Sequence, residues 1–207
     1  MRDETVGAWL DRLASSEPAP GGGAAAAMNV AVGAALLEMV VNLTLGKDAY
    51  RDYEEHAAHV LGEAGAVRAQ ATRLAEEDAR AFTALMAAYR LPKDSDSDKA
   101  ARREEIQRAT VEATRVPLEI ASRAARVIQL ATTLPGRSNA NVLSDVAVAA
   151  ASARAGLEAA AVNVRLNLGS VRDPEAAAAF AQALEEHLTS ARPAEELLAA
   201  VNREVAS

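Results

Sequence analysis

Three clusters of polar residues stand inside otherwise apolar, helix-like sequence. The first belongs to PAPGGGAAAAMNVAVGAALLEMVVNLTLGKDAY, where Gly21, Gly22 and Gly23 precede a long apolar run carrying Asn29, Glu38, Asn42, Thr44 and Lys47. The second is EEDARAF, Glu76 to Phe82, closing at Leu91-Pro92-Lys93. The third is SNANVLSD, residues 138 to 145, with Asn163, Arg165 and Asn167 downstream in NVRLNL. A polar group buried without a partner costs roughly 1–3 kcal/mol. Each cluster therefore needs caps, core hydrogen bonds or a ligand. Asn163 and Asn167 lie four apart, as do Asn141 and Asp145, so each pair shares one helix face.

Other chemistries find no support. The chain has no cysteine, which removes disulfides, thiolate metal sites and a Cys nucleophile. Gly46-Lys47 is not a phosphate-binding loop, because Val41 and Asp48 stand where that motif needs Gly and Ser or Thr. His56 and His59, spaced i and i+3, read as a solvated helix face, and no metal is expected. No Ser-His-Asp order stands out. A net charge of −7, with no Lys/Arg run longer than a pair, argues against a nucleic-acid backbone as partner.

The elements that would position these clusters are helices. Half of the 207 residues are apolar, yet only two Phe, three Tyr and one Trp are aromatic, and alanine dominates. That composition favours closely spaced helices over a sheet. Residues 3–14 place Val6, Trp9, Leu10 and Leu13 on one face. Residues 24–45 are apolar nearly all round and end at Gly46, as a helix with a left-handed cap would. Residues 48–90 read as one long helix or two nearly continuous ones, with Val60, Val67, Leu74, Phe82, Leu85 and Met86 inward. Lys93 to Asp98 reads as a loop, 99–134 as a helix kinked at Pro117, and 141–168 as another helix. Asp173-Pro174 starts a last helical region, divided near Pro193.

The expectation is an all-α, single-domain chain, 1–207, forming a compact bundle of five or six long helices. Small-residue faces would be completed by dimerisation. The 24–45 run, interrupted by Asn29, Glu38 and Asn42, is expected to be a buried central helix rather than a membrane span. The N-terminal MRDETVGAWLDRLASS has acids and no apolar stretch of signal type, so the location is read as cytoplasmic.

Taken in order, the glycine motif, DARAFTALMAAYRLPK, VEATRVPLEI with its internal proline, and SNANVLSDVAVAAASARAGLEAAAVNVRLNL resemble the formiminotetrahydrofolate cyclodeaminase and methenyltetrahydrofolate cyclohydrolase family. The likeness covers nearly the whole chain. It departs from the family at Ser138-Asn139-Ala140-Asn141, where Gly-Asn is usual before the later Asn, and at the loop from Asp94 to Asp98. The resemblance implies an all-α homodimer with a folate cleft near the subunit interface, no metal, and no permanently bound cofactor.

It also implies roles. Cyclodeamination closes N10 of 5-formiminotetrahydrofolate onto the formimino carbon and expels ammonia; cyclohydrolysis adds water to the same carbon of the 5,10-methenyl cation. Both need a carboxylate to relay a proton. Asp78 is the first candidate and Asp145 the second acid/base or orienting group. Gly21, Gly22 and Gly23 would let a flat pterin lie against bare backbone beside the free N–H groups of a helix start; a tight turn between two packed helices is the competing account. Lys47, Lys93 and Arg165 are candidates for the pterin carbonyl or the glutamate tail, with Asn42, Asn141 and Asn163 as further binding residues. Cyclodeamination is the leading expectation, cyclohydrolysis its alternative, and a non-enzymatic helical scaffold the alternative of another class.

Overall fold

Gly21 has no side chain with which to cap the helix that follows it, so α2 (Gly22–Asn42) begins with uncapped amides; its first backbone bond runs from the Ala25 N–H to the Gly21 carbonyl, 3.0 Å. In the computed structural model, which describes residues 4–205, this start is preceded by α1 (Val6–Leu13), capped by Thr5. Residue 3, where this helix was expected to start, lies outside the described residues; the helix itself starts at Val6. Of its anticipated inward face, Trp9 is buried whereas Val6 and Leu10 are exposed. Helix α1 reaches the core through Trp9, with the partly buried Leu13 packed beside it.

A short 3₁₀ segment, Asp48–Tyr53, leads into α3 (Glu54–Tyr89). The expected loop to Asp98 is shorter than its polarity suggested. Ser95 caps α4 (Asp96–Thr132) in a reciprocal box with Asp98, so the Ser and Asp residues that read as loop are a helix start. Helix α5 (Leu143–Leu168) follows the 3₁₀ turn Ala140–Val142, then α6 (Pro174–Leu188) with Asp173 as N-cap. The last break falls at Thr189-Ser190, before α7 (Ala191–Val205). Pro193 lies within the first turn of α7, where a missing N–H leaves no helix bond unmade. No strand occurs among the described residues.

Helices α2 and α5 pack antiparallel at near-backbone distance. A Cβ on Gly33 would stand 2.8 Å from the Ala149 carbonyl oxygen, and one on Gly156 would stand 2.9 Å from that of Ala26 and 2.7 Å from a Val30 methyl. Backbone cannot step aside as a side chain can. Gly156→Val is therefore expected to lower stability by roughly 1–3 kcal/mol or more, measured by urea unfolding; an unchanged midpoint would show that the two helices can separate freely.

Helix α2 also packs on α3 and α4, and its Ala27, Val30, Ala34, Leu37 and Val41 are fully buried. It is not buried all round, as its composition suggested. Asn29, Val32, Ala35, Met39 and Leu43 form an exposed stripe, with Val32 48% accessible. Helix α5 carries a comparable stripe in Val148, Ala155, Val162 and Leu166. Length and apolarity alone would let α2 cross a membrane; here its other side is core.

Pro117 sits inside α4 without ending it. Its missing N–H deprives the Ala113 carbonyl, four residues earlier, of the usual helical donor.

Candidate functional site

The glycine turn and the middle of α3 enclose a cavity of about 420 Å³. Asp78 forms its polar centre. The half-buried carboxylate accepts a hydrogen bond from the Ala24 N–H, one of the amides left free at the start of α2. A Cβ on Gly23 would lie 2.1 Å from Asp78 Oδ1, so the carboxylate occupies the space that any other residue would fill. Neither Gly21, Gly22 nor Gly23 has positive φ; among the described residues only Gly46 and Gly136 do. Close approach, not left-handed backbone, is why glycine is needed here, and the constraint falls on Gly23. Gly22 is looser, since its Cβ would meet Asn163 Nδ2 at an ordinary 3.8 Å.

Apolar side chains wall the cavity: Phe82, Leu85 and Met86 one to two turns beyond Asp78 on α3, then Tyr89, with Leu166 opposite. Phe82 and Met86, expected in the core, instead present partly exposed surface to this space. Asn163 and Asn167 complete the wall. Asn163 Nδ2 donates to the Ala159 carbonyl at 2.9 Å, and Asn167 Nδ2 to the Ala113 carbonyl at 2.7 Å. The latter carbonyl is the one Pro117 leaves without a helical donor, so the internal proline fixes an asparagine on another helix. Each amide spends one N–H on these carbonyls, which orients its side-chain oxygen as an acceptor and leaves a second N–H for a ligand.

Burial raises the Asp78 carboxyl above its ordinary value of 3.8, and the Ala24 N–H opposes that rise. The folded protein then keeps the proton at pH values where the unfolded chain has lost it. Stability contributed by this group accordingly decreases as pH rises from 3.8 through the raised folded-state value, and is level above it. Activity that requires the carboxylate runs the other way. The acid limb of kcat/KM against pH is expected to have its midpoint above 3.8; a limb at or below that value would assign the titration to another group.

The other anticipated residues do not converge here. Asn42, Lys47, Asn141 and Asp145 lie at the far end of α2, roughly 30 Å away by helix rise. There Asn139 N–H donates to Thr44 Oγ1 at 3.0 Å, Asn139 Nδ2 to the Leu43 carbonyl at 3.1 Å, and Ala140 N–H to the Tyr50 hydroxyl at 3.0 Å. These bonds dock the SNAN segment beside a smaller, 190 Å³ pocket lined by Lys47, Tyr50 and Arg51. Glu38 is taken up by an ion pair with Arg68. Arg165 pairs with Glu185 at 3.2 Å on the surface, and Lys93 lies in the turn between α3 and α4; neither lines the cavity. His56 Nε2 stands 3.0 Å from Thr133 Oγ1.

Tyr89 and Thr110 line the cavity without having been anticipated, and Asn167, placed in the third polar cluster beside Asn163, lines it without having been given a binding role. The four-residue step from Asn163 pointed to Asn167, and the seven-residue step from Phe82 pointed to Tyr89. Thr110, whose hydroxyl donates to the Ile106 carbonyl at 2.7 Å, gave no such sign.

The formiminotransferase-cyclodeaminase family model matches residues 5–186. A methenyltetrahydrofolate cyclohydrolase of Methylorubrum extorquens is 46% identical over 171 residues, spanning 83% of this chain and 82% of that protein. The formimidoyltransferase-cyclodeaminase of Rattus norvegicus is 32% identical over 84% of this chain, which corresponds to only 32% of the rat protein. The crystal structure of formiminotetrahydrofolate cyclodeaminase from Thermotoga maritima superposes with a TM-score of 0.86 at 27% identity, covering 97% of this chain and 98% of that one. On its sequence and on its fold, the chain belongs to the formiminotransferase-cyclodeaminase family.

Proposed function

We propose that this chain is a folate one-carbon enzyme acting at the carbon that bridges N5 and N10, and that it hydrolyses 5,10-methenyltetrahydrofolate. The observation that carries the reading is the Asp78 carboxylate, held under the bare Gly23 backbone in a cavity walled by Phe82, Leu85 and Met86. The desolvated carboxylate takes a proton from water as the water oxygen bonds to the cationic bridge carbon. The same group then returns that proton to N5 as the C–N5 bond breaks and the hydroxyl proton of the adduct passes to solvent, leaving the formyl group on N10. Its negative charge also favours the cationic ring over neutral competitors. The identity to the Methylorubrum protein, spread over most of both chains, favours hydrolysis.

Cyclodeamination is the second reading, favoured by the end-to-end structural likeness to the Thermotoga protein. There N10 attacks the formimino carbon, and the protonated nitrogen leaves as ammonia. Asp78 would serve the same proton relay. Neither reading invokes a bound metal or cofactor. Assaying the purified chain on 5,10-methenyl- and 5-formiminotetrahydrofolate side by side separates them, and turnover of neither would leave the scaffold alternative standing.

A homodimer accompanies this reading. The exposed stripes of α2 and α5 are contiguous small and apolar surface of the kind a second copy covers. A second copy laid antiparallel along α2 would bring its Lys47 and Asn141 end towards the glycine end of the first, joining the two groups that a single chain keeps apart. Sedimentation as a monomer at micromolar concentration would argue against it.

A further inference from the structure

A cleft of about 380 Å³ lies between α3 and α4, closed at one side by His187 from the last turn of α6, and it shares no residue with the Asp78 cavity. One ion pair sets its register. Arg126 donates from Nε and Nη2 to Glu63 Oε2, at 3.1 and 2.9 Å. Both bonds fall on the same oxygen, so Glu63 Oε1 keeps its accepting capacity. Helices α3 and α4 are joined by a short turn and run antiparallel, which places Arg123, one turn before Arg126, between the levels of Glu63 and Gln70.

Two groups in this cleft are left unmatched. Arg123 is half-buried and makes no ion pair or hydrogen bond among the described residues, whereas Arg108, Arg115 and Arg126 on the same helix are each matched to a glutamate. A guanidinium so placed draws an anion, a carboxylate above all. Gln70, on the α3 wall, has its side-chain oxygen buried without a partner. An acceptor left so is destabilising, and a turn about its soft terminal torsion presents it to a donor in the cleft. His187 adds no second cation: burial holds its pKa below the ordinary 6.5, Glu186 opposes that, and Arg123 lowers it further, so the ring is neutral at pH 7.

The cleft therefore presents one uncompensated positive charge between a free carboxylate oxygen and an amide oxygen. A plain anion would meet Arg123 and leave both acceptors unfilled. Arg123 and the Glu63 level are separated by about 4.5 Å of helix rise, a step that a carboxylate and an ammonium on one carbon can span. We propose that this cleft binds a polar α-amino acid: Arg123 takes the carboxylate, Glu63 Oε1 the ammonium, and the Gln70 oxygen a donor on the side chain. The site stands apart from the folate cavity and does not depend on the folate reading.

Calorimetric titration of the full chain with L-asparagine, L-glutamine and L-serine tests it, beside sulfate and succinamate, which is asparagine without its ammonium. At least one of the three amino acids should bind with a Kd of about 1 mM or tighter, with succinamate and sulfate about tenfold weaker or more. Arg123→Gln and Glu63→Gln, both at partly exposed positions, should each weaken that binding about tenfold or more. Gln70→Leu gives a readout that a structural role would not: the melting temperature should rise as the unpaired acceptor is removed, while affinity falls to that for L-alanine. Failure of all three amino acids to bind wild-type protein, equal binding of succinamate or sulfate, or undiminished binding in Arg123→Gln overturns the site.

Discussion

Asp78→Asn is expected to reduce kcat by roughly 10²–10⁴-fold, the scale of a positioned acid/base group. The amide keeps the shape of the side chain and loses the ability to accept and return a proton. Its effect on stability should have the opposite sign. At neutral pH the native protein carries a carboxylate that burial makes unfavourable, with the Ala24 N–H opposing only in part. Removing the charge removes that penalty, so the variant should melt at the same temperature as wild type or higher, and its stability should no longer decline as pH rises from the ordinary carboxylate range. Calorimetric melting at several pH values beside a rate assay gives both signs at once. A variant that is both slow and unstable would mean that Asp78 mainly holds α3 to the start of α2, and a variant with near wild-type turnover would move the proton relay to Asp145 or to water.

Gly23→Ala should be nearly as damaging, for a reason that lies in one distance. The added methyl would stand 2.1 Å from Asp78 Oδ1 and 2.4 Å from its Cγ, which is impossible without movement. The yielding atoms are the end of a side chain, so the fold survives and the carboxylate is displaced from the Ala24 amide. Loss of roughly 10²-fold or more in kcat follows, since the displacement removes most of what Asp78 supplies. The double variant with Asp78→Asn should be no slower than Asp78→Asn alone, because both changes act on one group. Additive losses would show that Gly23 serves the ligand directly. Gly22→Ala, with ordinary contact at 3.8 Å, serves as the control and should retain most activity.

The fold was legible in the sequence because alanine content and helical periodicity survive without knowledge of neighbours; α2, α4 and α5 fall within a few residues of expectation. What misled was polarity read as loop at Ser95 to Asp98, where the same residues make a capping box. Half of the candidate site was equally legible: Asp78, the three glycines and Asn163 meet around one cavity. The other half was not. Spacing along a helix says which residues share a face, but not which end of a 21-residue helix a separate cluster will join. Asn42 and Lys47 are kept from the glycines by the length of α2, and Asn141 and Asp145 join them because α5 runs antiparallel to it. The close approach that bars a side chain at Gly23 was not legible either, since Asp78 is distant in the chain and leaves no trace in local sequence.

The defect at Pro117 links the local quality of one helix to the order of a site on another. An alanine there would restore the N–H that α4 lacks and return the Ala113 carbonyl to ordinary helix pairing, a gain for α4 considered alone. The same repair would set the restored N–H in competition with Asn167 for that carbonyl, freeing the asparagine to rotate. In this protein the better helix makes the poorer receptor, so selection for a well-formed cavity works against selection for helical regularity at that position.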